Sequence, residues 1–221
     1  MDSRLKAIMD FVPSGSRVAD IGTDHGYLAI ELIKRKIAAF VVASDKNIKP
    51  LEAAKRNIKE AGIKDDIDLR ISDGLQMFAV GEVDVICIAG MGGALMCDIL
   101  NASPDVVESV DKIILQPMNA VEKVRQWATD NNFFIEDEDL AEVDDIIYEI
   151  ICLNRTVSKL TSTRKARSPL YNKFIESKIN KLQRVIESMS LSQRAMESDK
   201  YRELQGRINE LKKMKIPETQ Q

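Results

Sequence analysis

Apolar residues along the first 155 positions keep two rhythms. Short runs rich in Val and Ile alternate with stretches in which apolar residues return every three or four positions. An opening helix is expected at about 3–12, RVADIG (17–22) reads as a strand and YLAIELIKR (27–35) as a helix. AAFVVASD (38–45) is the next strand and IKPLEAAKRNIKEAG (48–62) the next helix, closed by Gly62. Strands follow at IDLRIS (67–72), VDVICIAG (83–90) and DKIILQP (111–117), with a helix, GALMCDILNAS (93–103), between the last two. AVEKVRQWATDNN (120–132) is helical, and FFIEDEDL (133–140) and IIYEIICLN (146–154) close the region as strands. This alternation predicts an α/β fold, a mostly parallel sheet with helices on both faces. No helix separates the last two strands, so a hairpin at the sheet edge and one antiparallel strand are expected.

Beyond residue 155 the pattern changes. TVSKLTSTRKARSPL (156–170) is polar, basic and broken by Pro169, which marks a linker. Ile175, Ile179, Leu182, Ile186 and Met189 then recur at spacings of 4, 3, 4 and 3, and Tyr201, Leu204, Ile208 and Leu211 repeat the pattern. Those are heptad seams, each too short to stand alone, so an antiparallel coiled-coil hairpin is expected. The domain boundary falls at 157/158. Charge divides at nearly the same place: residues 1–156 hold 17 Lys/Arg and 28 Asp/Glu, a net of −11. Residues 157–221 hold 15 and 7, a net of +8, which suits a polyanionic partner or a solvated helical surface.

The 44% hydrophobic content is that of a globular chain, and no apolar stretch reaches the roughly 18–20 residues that span a bilayer. The N-terminus lacks the apolar centre of a signal peptide. Cys87, Cys97 and Cys152 have no metal-ligand spacing and, with a single histidine, predict reduced thiols and no metal site. A cytoplasmic monomer without membrane contact is the expectation.

The candidate chemistry lies at strand ends. Asp20 ends the first strand, Asp45 the second, and Asp73 follows the third in SDGL, so three acids converge on the crevice where open α/β sheets bind ligands. Asp45 lies 25 residues after Asp20, near the spacing of an acid that holds ribose hydroxyls. The loop DIGTDHG offers Gly22, Thr23, His25 and Gly26, but Asp24 stands where a dinucleotide loop has its middle glycine. A carboxylate there repels phosphate by several kcal/mol at an effective dielectric of about 20. S-adenosylmethionine carries a sulfonium and an ammonium and no phosphate, so an acidic loop suits it. IAGMGG (88–93) follows the fourth strand, and its glycines permit close approach of a target base. LQPMN (115–119) is a further wall, contacting a base edge or capping the next helix. The Asp/Asn-Pro-Pro-aromatic signature of exocyclic-amine methylation is absent, which favours a ring nitrogen.

The co-linear set of ADIGTDHGYL, ASD with a following P-L-x-x-A, DGL, IAGMGG, ILQP and YEII resembles the TrmK family of bacterial tRNA (adenine-22-N1)-methyltransferases, through nearly the whole chain. The resemblance implies a Rossmann-like methyltransferase domain with a C-terminal coiled-coil extension, S-adenosylmethionine as cofactor and tRNA as partner. On these motifs the cofactor site takes Asp20, Gly22, Thr23, His25 and Gly26; Asp45 and Lys46; Asp73 and Gly74; and Ala89, Gly90 and Met91. Arg4, Gly92, Gly93, Gln116, Pro117 and Asn119 are assigned to the substrate. One departure is Met118, which separates Pro117 from Asn119 where the family pattern places asparagine directly after proline.

Adenine N1 attacks through its own in-plane lone pair, so catalysis rests largely on alignment. Methylation charges the ring, and Asp24 is the candidate to stabilise that charge or take the N6 proton; it could equally hold the cofactor ammonium. N1 lies on the Watson–Crick edge, so the target must be unpaired or flipped out. Competing readings are a methyltransferase acting on another RNA or a small molecule, and a non-catalytic RNA-binding module. A dehydrogenase fits least because of Asp24.

Overall fold

A computed structural model of the chain describes residues 2–63, 65–156 and 162–216. It divides into two compact units, Met1–Arg164 and Lys165–Gln221. The expected boundary at 157/158 lies outside the described residues.

In the first unit the elements follow the sequence rhythm: α1 (Ser3–Met9), β1 (Ser16–Ile21), α2 (Tyr27–Lys34), β2 (Ala38–Asp45), α3 (Ile48–Ala61) and β3 (Ile67–Ile71). Then come β4 (Val85–Met91), α4 (Gly93–Asn101), α5 (Pro104–Glu108), β5 (Lys112–Pro117), α6 (Val121–Asp130), β6 (Phe134–Val143) and β7 (Ile146–Asn154). The seven strands form one sheet in the order β3-β2-β1-β4-β5-β7-β6. β1 to β5 run parallel, and β7 is antiparallel to both neighbours, β5 and β6. The antiparallel strand is therefore second from the edge, because β7 folds back inside β6.

Period-2 alternation explains why the strands look apolar throughout. Val18, Cys87, Ile114 and Ile150 join one core with Ile8 of α1, Leu32 of α2 and Ala54 and Ile58 of α3. Their neighbours Ala19, Ile86, Ile88, Ile113, Leu115 and Ile151 join the other, with Met96 and Leu100 of α4 and Val124 and Trp127 of α6. Helices on both faces leave no polar face to alternate with. α1 stops at Met9, short of the expected residue 12, although Phe11 and Val12 remain buried. Pro13 disfavours a helical conformation for the residue before it, so the apolar pattern outruns the helix. α5 is five residues long with Pro104 at its start, too short to show a period.

β1 is flanked by β2 and β4, and strand order runs outward in opposite directions from that border. This switch point opens a crevice above the carboxyl ends of the strands.

α7 (Arg164–Arg167) begins on the last residue of the first unit, and the second unit continues with α8 (Tyr171–Met189), α9 (Gln193–Met196) and α10 (Asp199–Met214). α8 and α10 pair antiparallel. Asn172 Nδ2 donates to the Ile216 carbonyl (2.8 Å) while Ile216 N donates to Asn172 Oδ1 (2.9 Å). At the other end Ser190 Oγ meets the Tyr201 hydroxyl at 3.4 Å. Ile175, Ile179, Ile208 and Leu211 are buried, whereas Leu182, Ile186, Met189, Tyr201 and Leu204 are half-buried.

Candidate active site

The loop after β1 is tied down before any ligand is considered. Gly22 N and Thr23 N both donate to the Ser44 carbonyl (2.8 and 2.9 Å), which anchors the loop to the end of β2. Gly22 (φ 73°), Asp24 (φ 51°) and Gly26 (φ 73°) are all left-handed. Aspartate tolerates that region better than most residues, so Asp24 preserves the backbone path of a glycine while adding a carboxylate. Its side chain is exposed at the rim, with His25 Nε2 3.6 Å from Oδ2. A Cβ on Gly26 would stand 3.1 Å from Ala54 Cβ of α3, so Gly26 serves the turn and helix packing.

Two cavities meet at this loop. The larger, of about 610 Å³, is lined by Asp20, Gly22, Thr23, Asp24 and His25 from the loop, Ala89 and Gly90 from β4, and Gln116 from β5. Arg4 reaches it from α1. The smaller, of about 200 Å³, is lined by Asp45, Lys46, Asp73, Gly74 and Met91, and Gly22 belongs to both. The three strand-end acids thus share one crevice with two lobes. Met91 Cε packs so closely on Gly22 that a Cβ there would lie 2.1 Å from it.

Asp20 is buried and accepts from Thr23 Oγ1 at 2.6 Å. Burial pushes its pKa up to about 6, against the opposing Thr23 hydroxyl and Ala29 N–H. A carboxylate held that way is under-solvated, and a cation beside it restores what burial removed. Asp45 Oδ1 accepts from Asn47 N (2.8 Å), and Ser72 N donates to the Asp45 carbonyl (3.1 Å), which sets the second lobe's two loops in register. Buried Gln116 holds the β4 bulge: its Oε1 accepts from Gly90 N at 3.1 Å.

Gly92, Gly93, Pro117 and Asn119 line neither of these cavities. A Cβ on Gly93 would meet the Ala120 and Asn119 carbonyl oxygens at 2.6 and 2.9 Å, and one on Gly92 would meet Asn119 Oδ1 at 3.0 Å. The close approach expected of a target base at these glycines is made instead by the β5–α6 loop. Pro117 is buried opposite Met91 in the β4–β5 ladder, and Met118 N donates to the Met91 carbonyl (2.8 Å).

In the larger cavity six lining residues went unassigned in the sequence: Asp2, Leu5, Ile8, Tyr27, Leu28 and Glu31. The α1 contributors share the helical spacing of a core face, and nothing local distinguishes a cavity wall from a core. Asp2 caps α1 and pairs with Arg4 (Nη2 to Oδ2 2.5 Å), whose guanidinium lies 4.9 Å from the centre of the Tyr148 ring. That hydrogen-bonded pairing holds the Asp2 carboxyl below its usual range and raises the Arg4 pKa.

Residues 1–151, which carry both lobes, match the family described as "Methyltransferase domain". The chain belongs to this methyltransferase family. It is 34% identical over 151 residues to the tRNA (adenine(22)-N(1))-methyltransferase of Bacillus subtilis strain 168, a match covering 68% of this chain and 63% of that protein. The sequence match thus spans less than two thirds of the curated relative. In structure, the B. subtilis m1A22 tRNA methyltransferase TrmK superposes with a TM-score of 0.82 at 28% identity, covering 97% of this chain and 98% of that one. TrmK of M. capricolum, solved with S-adenosyl-homocysteine, gives 0.79 at 27% identity, with 96% of each chain covered. The methyltransferase sheet is the Rossmann-like one expected, and the C-terminal helices are present. Among the described residues no group of three or more His, Cys, Asp or Glu could hold a metal ion, and no helix is long and apolar enough to cross a membrane.

Proposed function

We propose that the chain is an S-adenosylmethionine-dependent methyltransferase that methylates N1 of adenosine 22 in tRNA. The observation that carries this reading is the two-lobed acidic crevice, with Asp20 in one lobe and Asp45 and Asp73 in the other, joined at Gly22. The similarity to proteins named as tRNA m1A22 methyltransferases supplies the target.

Bound, the cofactor supplies an electrophilic methyl on a sulfonium. In this reading the Asp45 carboxylate accepts from the ribose hydroxyls and Asp73 takes the adenosine end of the small lobe. Asp20 would accept from the ammonium, and Gly22, which lines both lobes, would border the chain of the ligand with the flexible Met91 side chain moved aside. Gln116, which accepts from Gly90 N, fixes the β4 loop that would border the cofactor. Neutral adenine N1 is already a nucleophile, and the chain's task is to align it and exclude water. Asp24 faces the charge that develops on the ring and accepts the N6 proton or passes it to water. Arg4, released from Asp2, meets a phosphate near the extruded nucleotide. The basic hairpin presents exposed Lys181, Arg184, Arg194 and Lys200 to the body of the tRNA.

The test is methyl transfer from labelled S-adenosylmethionine by the purified protein to tRNA, protein and metabolite pools side by side. Label in the tRNA pool is expected; label confined to another pool overturns the reading.

A further inference from the structure

Among the described residues two aromatic pairs are stacked, and they differ in one respect. Trp127 and Phe133 stack with ring centres 5.6 Å apart; Trp127 is only 6% exposed and its Nε1 donates to Asn101 Oδ1 at 2.7 Å. That pair is core. His25 and Tyr27 stack at 5.5 Å with 21° between planes, yet Tyr27 is 55% exposed and both residues line the large cavity. The next residue, Leu28, is 4% exposed, so the helix anchors itself one residue on and leaves the Tyr27 ring in solvent.

The backbone under this pair is fixed from several sides. Gly26 N donates to the Thr23 carbonyl (2.9 Å), Ile30 N donates to the Gly26 carbonyl (2.9 Å), and Asn57 Nδ2 of α3 donates to the His25 carbonyl (2.9 Å). A rigidly mounted, solvent-facing ring pair at a cavity mouth contributes little to the fold and much to a flat ligand. Asp20, Gly22, Thr23 and Gly90 form the part of the cavity suited to the cofactor, which leaves the rim for the incoming base.

We propose that Tyr27, backed by His25, is the stacking platform that receives the target adenine. The inference rests on the RNA-methyltransferase reading and deepens it by naming what holds the base. An adenine drawn out of its helix loses its stacking partners, and an aromatic face replaces them. Bond formation between N1 and the methyl carbon, with the S–C bond pair leaving on sulfur, makes the adenine ring cationic until N6 gives up a proton. A phenol ring against that face attracts the cation more strongly than the neutral base. Tyr27 therefore acts on both binding and turnover.

The experiment compares the wild-type protein with Tyr27→Ala and Tyr27→Phe, using full-length chains whose melting confirms folding. The substrate is tRNA with adenosine at the target position, and a parallel tRNA carries 2-aminopurine there. Tyr27→Ala is expected to lower kcat/KM roughly tenfold to a hundredfold, the range of one lost base–aromatic stack, and Tyr27→Phe to restore most of it. S-adenosylhomocysteine affinity stays within about twofold for all three by calorimetry, which is below half a kcal/mol. The 2-aminopurine stays quenched with wild type and Tyr27→Phe and brightens with Tyr27→Ala. Unchanged turnover by Tyr27→Ala, identical emission from the three proteins, or a parallel loss of cofactor affinity would each overturn the platform. Absence of wild-type turnover on tRNA would overturn the parent reading and this one with it; wild-type turnover with an indifferent Tyr27→Ala would overturn this one alone.

Discussion

In the sheet unit, Ile86, Ile88, Ile113 and Leu115 lie fully buried between two helical layers, and the charge carried by residues 1–156 is −11. Among the described residues of the helical unit only the base of the hairpin is buried, at Phe174, Ile175, Ile179, Ile208 and Leu211, while Ile186, Met189 and Leu204 stay half-buried. Residues 157–221 carry +8. A deep core holds strand ends to fractions of an ångström, which a crevice for a cationic nucleoside requires. A two-helix seam gives no such precision, but a large basic surface on few residues suits the capture of a polyanion, which depends on charge more than on geometry. On the proposed reading, acids that favour a cationic cofactor repel RNA, and separating the two functions on the chain resolves a conflict that one surface could not.

The harshest way to break that comparison is to remove Lys165–Gln221. Cofactor affinity should survive in a folded remainder, while tRNA affinity should fall by roughly a hundredfold or more with a flattened salt dependence. Filter binding at two salt concentrations checks this, and full tRNA binding with an unchanged slope would show that the hairpin is no docking element. Paired core truncations sharpen the contrast in packing. Ile113→Ala should destabilise by about 2–5 kcal/mol through transfer and cavity terms, whereas half-buried Ile186→Ala should cost about 1 kcal/mol. Denaturant unfolding of both variants measures the difference, and equal losses would refute it.

A smaller effect is expected at Asp45. Asp45→Ala removes a charged acceptor for ribose, worth about 1.5–3 kcal/mol, or roughly tenfold or more in affinity by calorimetry. Unchanged affinity in the folded variant would reject the placement. The gentlest probe is pH. Asp20 has a folded pKa of about 6, above its ordinary value near 3.9, so the folded protein holds more protons than the unfolded one between those values. Stability attributable to Asp20 therefore falls as pH rises from about 4 to about 6, by a total of about 3 kcal/mol, and stays lost above. A bound cation favours the ionised form, so cofactor affinity should run the other way, weakening roughly tenfold per pH unit below 6 with proton release on binding. Asp20→Asn should abolish that pH dependence.

Much of the sheet was legible because a strand covered on both faces is apolar throughout, and VDVICIAG and DKIILQP can be little else. The order of the last two strands was not, since a hairpin fits an edge either way round, and only pairing with β5 decides that β7 lies inside. The acids were legible from their positions at strand ends. Gly92 and Gly93 were not, because a glycine needed for a close approach does not say what approaches; the carbonyls of Asn119 and Ala120 come from 26 or more residues further on. Leu5 and Ile8 stayed hidden for a related reason, as α1 shows one apolar stripe and serves both core and cavity with it. Tyr27 had a local signal that passed unused, an aromatic directly after the glycine that ends the loop.

On the proposed function, this crevice directs a methyl group to the N1 ring nitrogen of one adenine in tRNA. The direct test is mass-spectrometric mapping of nuclease fragments from unmodified tRNA treated with the purified full-length protein and S-adenosylmethionine, with the methylated nucleoside identified by its chromatographic retention against the isomeric N1- and N6-methyladenosine standards. A single added methyl at N1 of adenosine 22 is expected, absent when that nucleotide is replaced by guanosine. A methyl on the exocyclic N6, on another nucleotide, or retained after the replacement would contradict it.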